Sequence, residues 1–199
     1  LDDCVRDSEA FLDVLRSLGD AAGPAYLQLP PAFSRARYGR VLARYLDWLA
    51  VATDGLRIAV EVRSPDLMTP AFAQFLVDRN MVLVLVDRVN TPDLYEVWRE
   101  ASKNRGFVFI RWIGDDRNGP KGDRHLVAPV DPKLAKWAQR IEDCLQVGLD
   151  VFGYMHNPYE GHSPASVRRL EQRLAQGIQL PKWPPSELPP MDTIQMNLL

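Results

Sequence analysis

The sequence predicts an α/β protein in which parallel strands are covered by helices, and three observations predict it. Short apolar runs recur along the chain, each ending in a polar or charged group: AYLQLPP (25–31), RIAVEVR (57–63), VLVLVDR (82–88), FVFIRWIG (107–114) and VFGYMHN (151–157). Near-continuous apolar strands of this kind are buried on both faces, as in parallel sheets. Each run is followed by a stretch with helical apolar spacing. The polar residues sit at the carboxyl ends of the runs, where α/β sheets and barrels place their ligand sites.

The elements follow in order. The chain opens LDDCVRDSEA, acidic and close to a helix, and Phe11, Val14, Leu15 and Leu18 form a stripe predicted to pack inward. After the first run, Tyr38, Val41, Leu42, Tyr45, Leu46 and Leu49 mark a second helix. Thr69-Pro70, Thr91-Pro92, Asp131-Pro132 and Ser163-Pro164 each set a capping oxygen before a proline, the pairing expected at N-cap and N1. Leu134, Trp137, Ala138, Ile141 and Leu145 form the stripe of the helix before the last run. From Leu180 the chain is proline-rich, which excludes regular structure there. The expected organisation is therefore one β/α domain over residues 1–179 and a tail over 180–199 packed on its surface.

Composition narrows the class. The 46% hydrophobic fraction is ordinary for a globular protein, and 24 basic against 26 acidic residues (net charge -2) give no global field for nucleic acid or an anionic membrane. Cys4 and Cys144 stand far apart and read as two reduced thiols. The longest strongly apolar run, Met81 to Val86, is far short of the roughly 20 residues of a membrane helix. With no signal peptide evident, the expectation is a cytoplasmic protein without membrane attachment.

An open doubly wound sheet and a barrel both fit this alternation, and two points favour the barrel. No glycine-rich phosphate fingerprint follows any strand, and polar groups are spread over all the strand ends instead of one switch point. An eight-fold barrel takes about 250 residues, so this chain would hold only part of one.

The motifs QLPP (28–31), EVR (61–63), VDR (86–88), R-x-x-G (111–114) and N-x-Y-x-G-H-x-P (157–164) occur in the order seen in the DUF72 (YecE-like) family, which the chain resembles from about Gly23 to Leu174. The resemblance implies a TIM-type (β/α) barrel of unassigned biochemical function. The present strands resemble its fourth to eighth, and the first three have no counterpart, so an incomplete barrel with open edges is expected. Ser64-Pro65-Asp66-Leu67 stands where the family usually has His-Pro-Ser-Trp, and Trp112-Ile113 where it has Leu-His. A site that needed either histidine would be altered here.

Side-chain alternation suggests what lines the lumen. Glu61 and Arg63 are two apart on one strand and share a face with Ala59. The corresponding inward sets are Tyr26 and Gln28; Leu83, Leu85 and Asp87; Phe107, Phe109 and Arg111; and Gly153, Met155 and Asn157. Gln28, Glu61, Arg63, Asp87, Arg111 and Asn157 are thus expected on one rim. His156 is expected to point away from it and His125 to be a solvated loop residue. His162, in a loop that Gly161 can bend, is the best histidine candidate.

This set suits acid–base or electrostatic work, with Glu61 or Asp87 as the proton-transfer group and Arg63 and Arg111 as an anion clamp. The loop holding Asn157, Tyr159 and His162 precedes a helix N-terminus and adds candidate ligand contacts. Each group also has a structural reading: a buried ion-pair network for Glu61 and its arginines, a turn cap for Asp87, loop hydrogen bonds for Gln28 and His162. No metal site and no cofactor are expected, because no ligand-spaced His/Cys/acid motif occurs. Two functions stay open: an enzyme, of hydrolase type, acting on a small anionic or phosphorylated compound, or a non-catalytic barrel binding an anion or a nucleic-acid segment. Asp115, Asp116 and Asp123 among the basic residues weigh against an extended nucleic-acid surface.

Overall fold

The computed structural model describes residues 4–122 and 124–180, so the expected tail lies outside the described residues except for Leu180. Six α-helices and six strands run along them, alternating except where two strands follow one another in the middle. Helix α1 (Val5–Ser17) precedes β1 (Ala25–Gln28), α2 (Arg35–Ala52), β2 (Ile58–Glu61), α3 (Pro70–Val77), β3 (Met81–Leu83) and β4 (Leu85–Arg88). Then follow α4 (Tyr95–Ser102), β5 (Phe107–Gly114), α5 (Asp131–Gln146), β6 (Asp150–Met155) and α6 (Ser163–Leu174).

Every strand pairing is parallel, and the strands form two three-stranded sheets, β1-β2-β3 and β4-β5-β6. The run predicted as one strand over 82–88 is therefore two short strands. Its first half pairs with β2 and its second with β5, and Val84 between them donates its N–H to the Val60 carbonyl at 3.0 Å. That residue is the hinge where one sheet hands over to the other. A register shift between Asp87 and Arg88 ends the second half.

The sheets curl strongly. Tyr26 on β1 packs on Phe109 of β5 with ring centroids 5.5 Å apart, although the two strands belong to different sheets. At the opposite end of the strands Arg57, just before β2, donates to Asp150 at the start of β6 (2.8 Å) and lies over the Phe152 ring. Within the described residues β1 and β6 each have one strand neighbour.

Two apolar layers result. The larger lies between sheets and helices, and includes Leu42, Leu46, Val60, Leu83, Leu85, Trp98, Ile110, Trp112, Leu134 and Trp137. A smaller one fills the concave side: Ala59, Val82, Val84, Phe107 and Phe109, with Val86 and Phe152 against them. This corrects the predicted alternation in two strands. Val82, Val84 and Val86 face inward, not Leu83, Leu85 and Asp87; Phe152 and Tyr154 face inward, not Gly153 and Met155. Residues opposite one another in a parallel pair share a face, and Ala59 opposes Val82 while Arg111 opposes both Val86 and Tyr154. A one-residue error of phase turns every side chain over.

Helix starts also differ in detail. Ser34 and Thr69 cap α2 and α3, accepting from the N–H groups of Arg37 and Phe72. Thr91-Pro92 does not open a helix: α4 starts at Tyr95, whose N–H is taken by Asp93 at 3.2 Å. Asp131 and Ser163 are themselves the first helical residues. Of the predicted α1 stripe only Leu15 packs against the core, beside the buried Leu12, while Phe11, Val14 and Leu18 are about half exposed. No helix among the described residues is long and apolar enough to cross a membrane.

Candidate functional site

Glu61 ends β2 with its side chain only 1% exposed, so its charge must be met inside the protein. Two guanidiniums meet it. Arg63, two residues on, donates Nε–H to Oε1 at 2.9 Å, and Arg111 of β5 donates Nη1–H to Oε2. Gln28, the register partner of Glu61 on β1, accepts from both arginines: Arg63 Nη2 at 2.9 Å and Arg111 Nη1 at 3.0 Å. The Arg111 guanidinium also lies over the Tyr26 ring, 4.9 Å from its centroid. Three strand residues and Arg63, just past β2, are thereby locked together.

His156, directly after β6, completes the set. Its Nε2 lies 3.0 Å from Arg111 Nη2. A guanidinium only donates, so Nε2 accepts and the imidazole proton resides on Nδ1. Burial and the Arg111 charge hold the imidazole below its ordinary value, against an opposing pull from Glu61 and Asp116. The strand phase explains why the sequence pointed His156 away: it shares its face with Tyr154, and that face is the inner one.

Beside this network lies a cavity of about 350 Å³, walled by Glu61, Arg63, Arg88, Thr91, Asp116 and Arg117 with Pro31, Pro65 and Met68. Arg88 grips Asp116 through two hydrogen bonds, 3.0 and 2.9 Å, which hold that carboxyl below its usual range against the cost of desolvation. Glu61 occupies Nε of Arg63 and Gln28 occupies Nη2, which leaves Nη1 without a partner among the described residues. The backbone N–H of Arg117 is taken by Asp115, while its guanidinium makes no side-chain hydrogen bond among the described residues and acts on Asp116 through charge alone. Two donor groups are therefore available at the cavity wall.

The remaining predicted residues lie elsewhere. Asp87 faces the helical layer, where its carboxylate accepts from Trp137 Nε1, Tyr159 Oη and Lys133 Nζ at 2.8, 2.8 and 3.1 Å. Burial and the Asp87 charge push the Tyr159 hydroxyl far above its ordinary range. Asn157 accepts the Ser163 N–H at 2.8 Å and so caps α6 from six residues upstream. His162 precedes α6 and makes no side-chain cap bond; its carbonyl takes the Ser166 hydroxyl. Glu160, the unremarked position of N-x-Y-x-G-H, is fully buried and accepts from the Val130 N–H and Arg169. It ties the loop before α5 to α6.

Gly114 of the R-x-x-G motif has a geometric reason. Its φ is +73°, and a Cβ there would stand 2.7 Å from the Pro158 carbonyl oxygen, so the end of β5 and the loop after β6 can touch only through glycine.

No curated protein matches the chain. Among solved structures, one of a DUF72 family protein from Thermotoga maritima MSB8 has 16% identity and a TM-score of 0.66 over 86% of this chain and 66% of that one. Two of a DUF72 family protein from Enterococcus faecalis V583 have 16% and 19% identity and TM-scores of 0.62 and 0.61. They are matched over 91% and 83% of this chain and 70% and 67% of theirs. At these identities the likeness carries the fold. The sequence model described as "Protein of unknown function DUF72" matches residues 1–190, and the chain belongs to that family.

Proposed function

We propose that the cavity beside Arg63 binds a small anionic ligand, such as a phosphorylated or sulfated compound, and that the curled sheets form part of a TIM-type barrel with this cavity on its carboxyl-end rim. The barrel reading is supported by the contacts across the concave side, Gln28 to Arg111 and Tyr26 to Phe109, and by Arg57 to Asp150 at the other end.

The observation that carries the ligand reading is a pair of donors with no hydrogen-bond partner among the described residues, Nη1 of Arg63 and the guanidinium of Arg117, on one 350 Å³ cavity. Guanidinium donors suit the oxygens of phosphate, sulfate or carboxylate. Thr91 and Asn118 on the same wall offer neutral hydrogen bonds to the rest of a ligand.

In this reading Glu61 positions arginines instead of moving protons. Both its oxygens already accept charged hydrogen bonds, and Asp87 is equally occupied on the far face. Binding without turnover is the function these geometries support best. Calorimetry with phosphate tests it. Arg63→Leu and Arg117→Leu should each weaken binding by about tenfold, the worth of one charge-assisted hydrogen bond. Affinity unchanged in both variants refutes the reading.

A further inference from the structure

The wall of the cavity beside Arg63 carries the guanidiniums of Arg63, Arg88 and Arg117 and, in equal number, the carboxylates of Glu61, Asp115 and Asp116. Its charge therefore balances, whereas a site for a bare anion would carry a positive surplus. Pairing divides the six groups unequally. Glu61 is committed to Arg63 and Arg111, and Arg88 and Asp116 satisfy each other through two hydrogen bonds. Nη1 of Arg63, the guanidinium of Arg117 and Oδ2 of Asp115 have no hydrogen-bond partner among the described residues.

Asp115 is partly buried, between the buried Gly114 and the exposed Asp116. Its Oδ1 accepts the N–H groups of Arg117 and Asn118 at 3.1 and 2.9 Å, which holds the carboxylate on the turn. Oδ2 takes no such bond, and a partly buried carboxylate oxygen is costly to leave without a donor. Asp115 also repels an anion held by Arg63 and Arg117, unless the same ligand brings a positive charge to it.

We infer that the ligand of this cavity is a small zwitterion, with an oxyanion group held by Arg63 and Arg117 and an ammonium group held by Asp115. The inference rests on the anion reading above and narrows its substrate class. An ammonium donates in three directions, bonds most strongly to a charged acceptor, and meets the one carboxylate on the wall that no guanidinium answers through a hydrogen bond.

Phosphoethanolamine and n-propyl phosphate are matched probes: they share the phosphate and the chain length and differ in an ammonium against a methyl group. Near pH 8 both phosphates are mainly doubly charged and the ammonium keeps its proton. Calorimetry on wild type should show phosphoethanolamine binding about tenfold tighter, the effect of one charge-assisted hydrogen bond. Asp115→Asn keeps the Oδ1 acceptor of the turn and removes the charge. The preference should then fall below about twofold, while n-propyl phosphate binds no more weakly than to wild type, because a repulsion has gone. Asp115→Ser also keeps a turn acceptor and should lose the preference in the same way, should asparagine disturb the loop.

Equal affinity of the two probes for wild type, or an ammonium preference that survives in both variants, overturns the inference and leaves the anion site standing. So does an equal loss of both probes in both variants, which would make Asp115 a loop anchor only. Failure of both probes to bind where inorganic phosphate does also overturns the inference alone. Failure of all three compounds to bind wild type overturns both readings.

Discussion

Gln28 and Arg111 stand 83 residues apart on strands that do not pair, yet Nη1 of Arg111 donates to Oε1 of Gln28 at 3.0 Å. The contact joins the two sheets across their concave side. Glu61 and Arg63 sit between them, so each side chain holds the next, and the cavity-facing arginine is oriented by the buried Glu61 and by Gln28.

Removing the centre of this network should be costly. Glu61→Leu leaves two guanidiniums around an apolar group, and breaking a buried pair from one side costs about 3–5 kcal/mol. Urea unfolding measures it. Glu61→Gln, which keeps acceptor oxygen, should lose clearly less. Equal losses would show that shape, not charge, is what the position supplies.

Acid should destabilise the protein in two steps. The folded state binds the His156 proton more weakly than the unfolded chain, so stability begins to fall as pH drops through the ordinary value of 6.5 and levels off below the depressed folded midpoint. Burial raises the Asp93 carboxyl, but hydrogen bonds from Arg140, Lys136 and the Tyr95 N–H outweigh it and bring it to about 2. Its contribution is complete above 3.8 and is lost as pH falls from there to about 2. Asp93 is nearly half exposed, so solvent screening keeps that second step small. A melting-temperature profile against pH should lose its upper step in His156→Gln and keep its lower one.

Asp87 should behave as a structural anchor. Tyr159→Phe removes one of its three donors and should cost about 1–2 kcal/mol, with anion affinity unchanged. Denaturant unfolding and phosphate calorimetry on the same variant separate the two effects. A loss of phosphate affinity with little loss of stability would place Asp87 back in the ligand site.

Gly153 is held to hydrogen by the Trp112 indole, since a Cβ there would lie 2.4 Å from a ring carbon. Gly153→Ala should therefore displace Trp112 from Trp137, its edge-to-face partner at 5.7 Å, and cost about 1–3 kcal/mol. Tryptophan fluorescence should shift alongside the melting temperature. An unchanged spectrum and melting point would mean the ring moves freely.

The β–α alternation, the parallel class and the carboxyl-end position of the polar groups were all legible in the sequence, because they depend on composition and order alone. So was the shared face of Glu61 and Arg63, which their spacing of two dictates. The phase of the other strands was not. A strand apolar on both faces carries no mark of which side is inner, and only register against its neighbours decides it. That register put Asp87 among Trp137, Tyr159 and Lys133 and brought His156 to Arg111. The α1 stripe illustrates the same limit: period reveals which residues share a face, while burial depends on what lies opposite. Local chemistry along the chain chose the elements. Tertiary pairing chose which of their side chains meet.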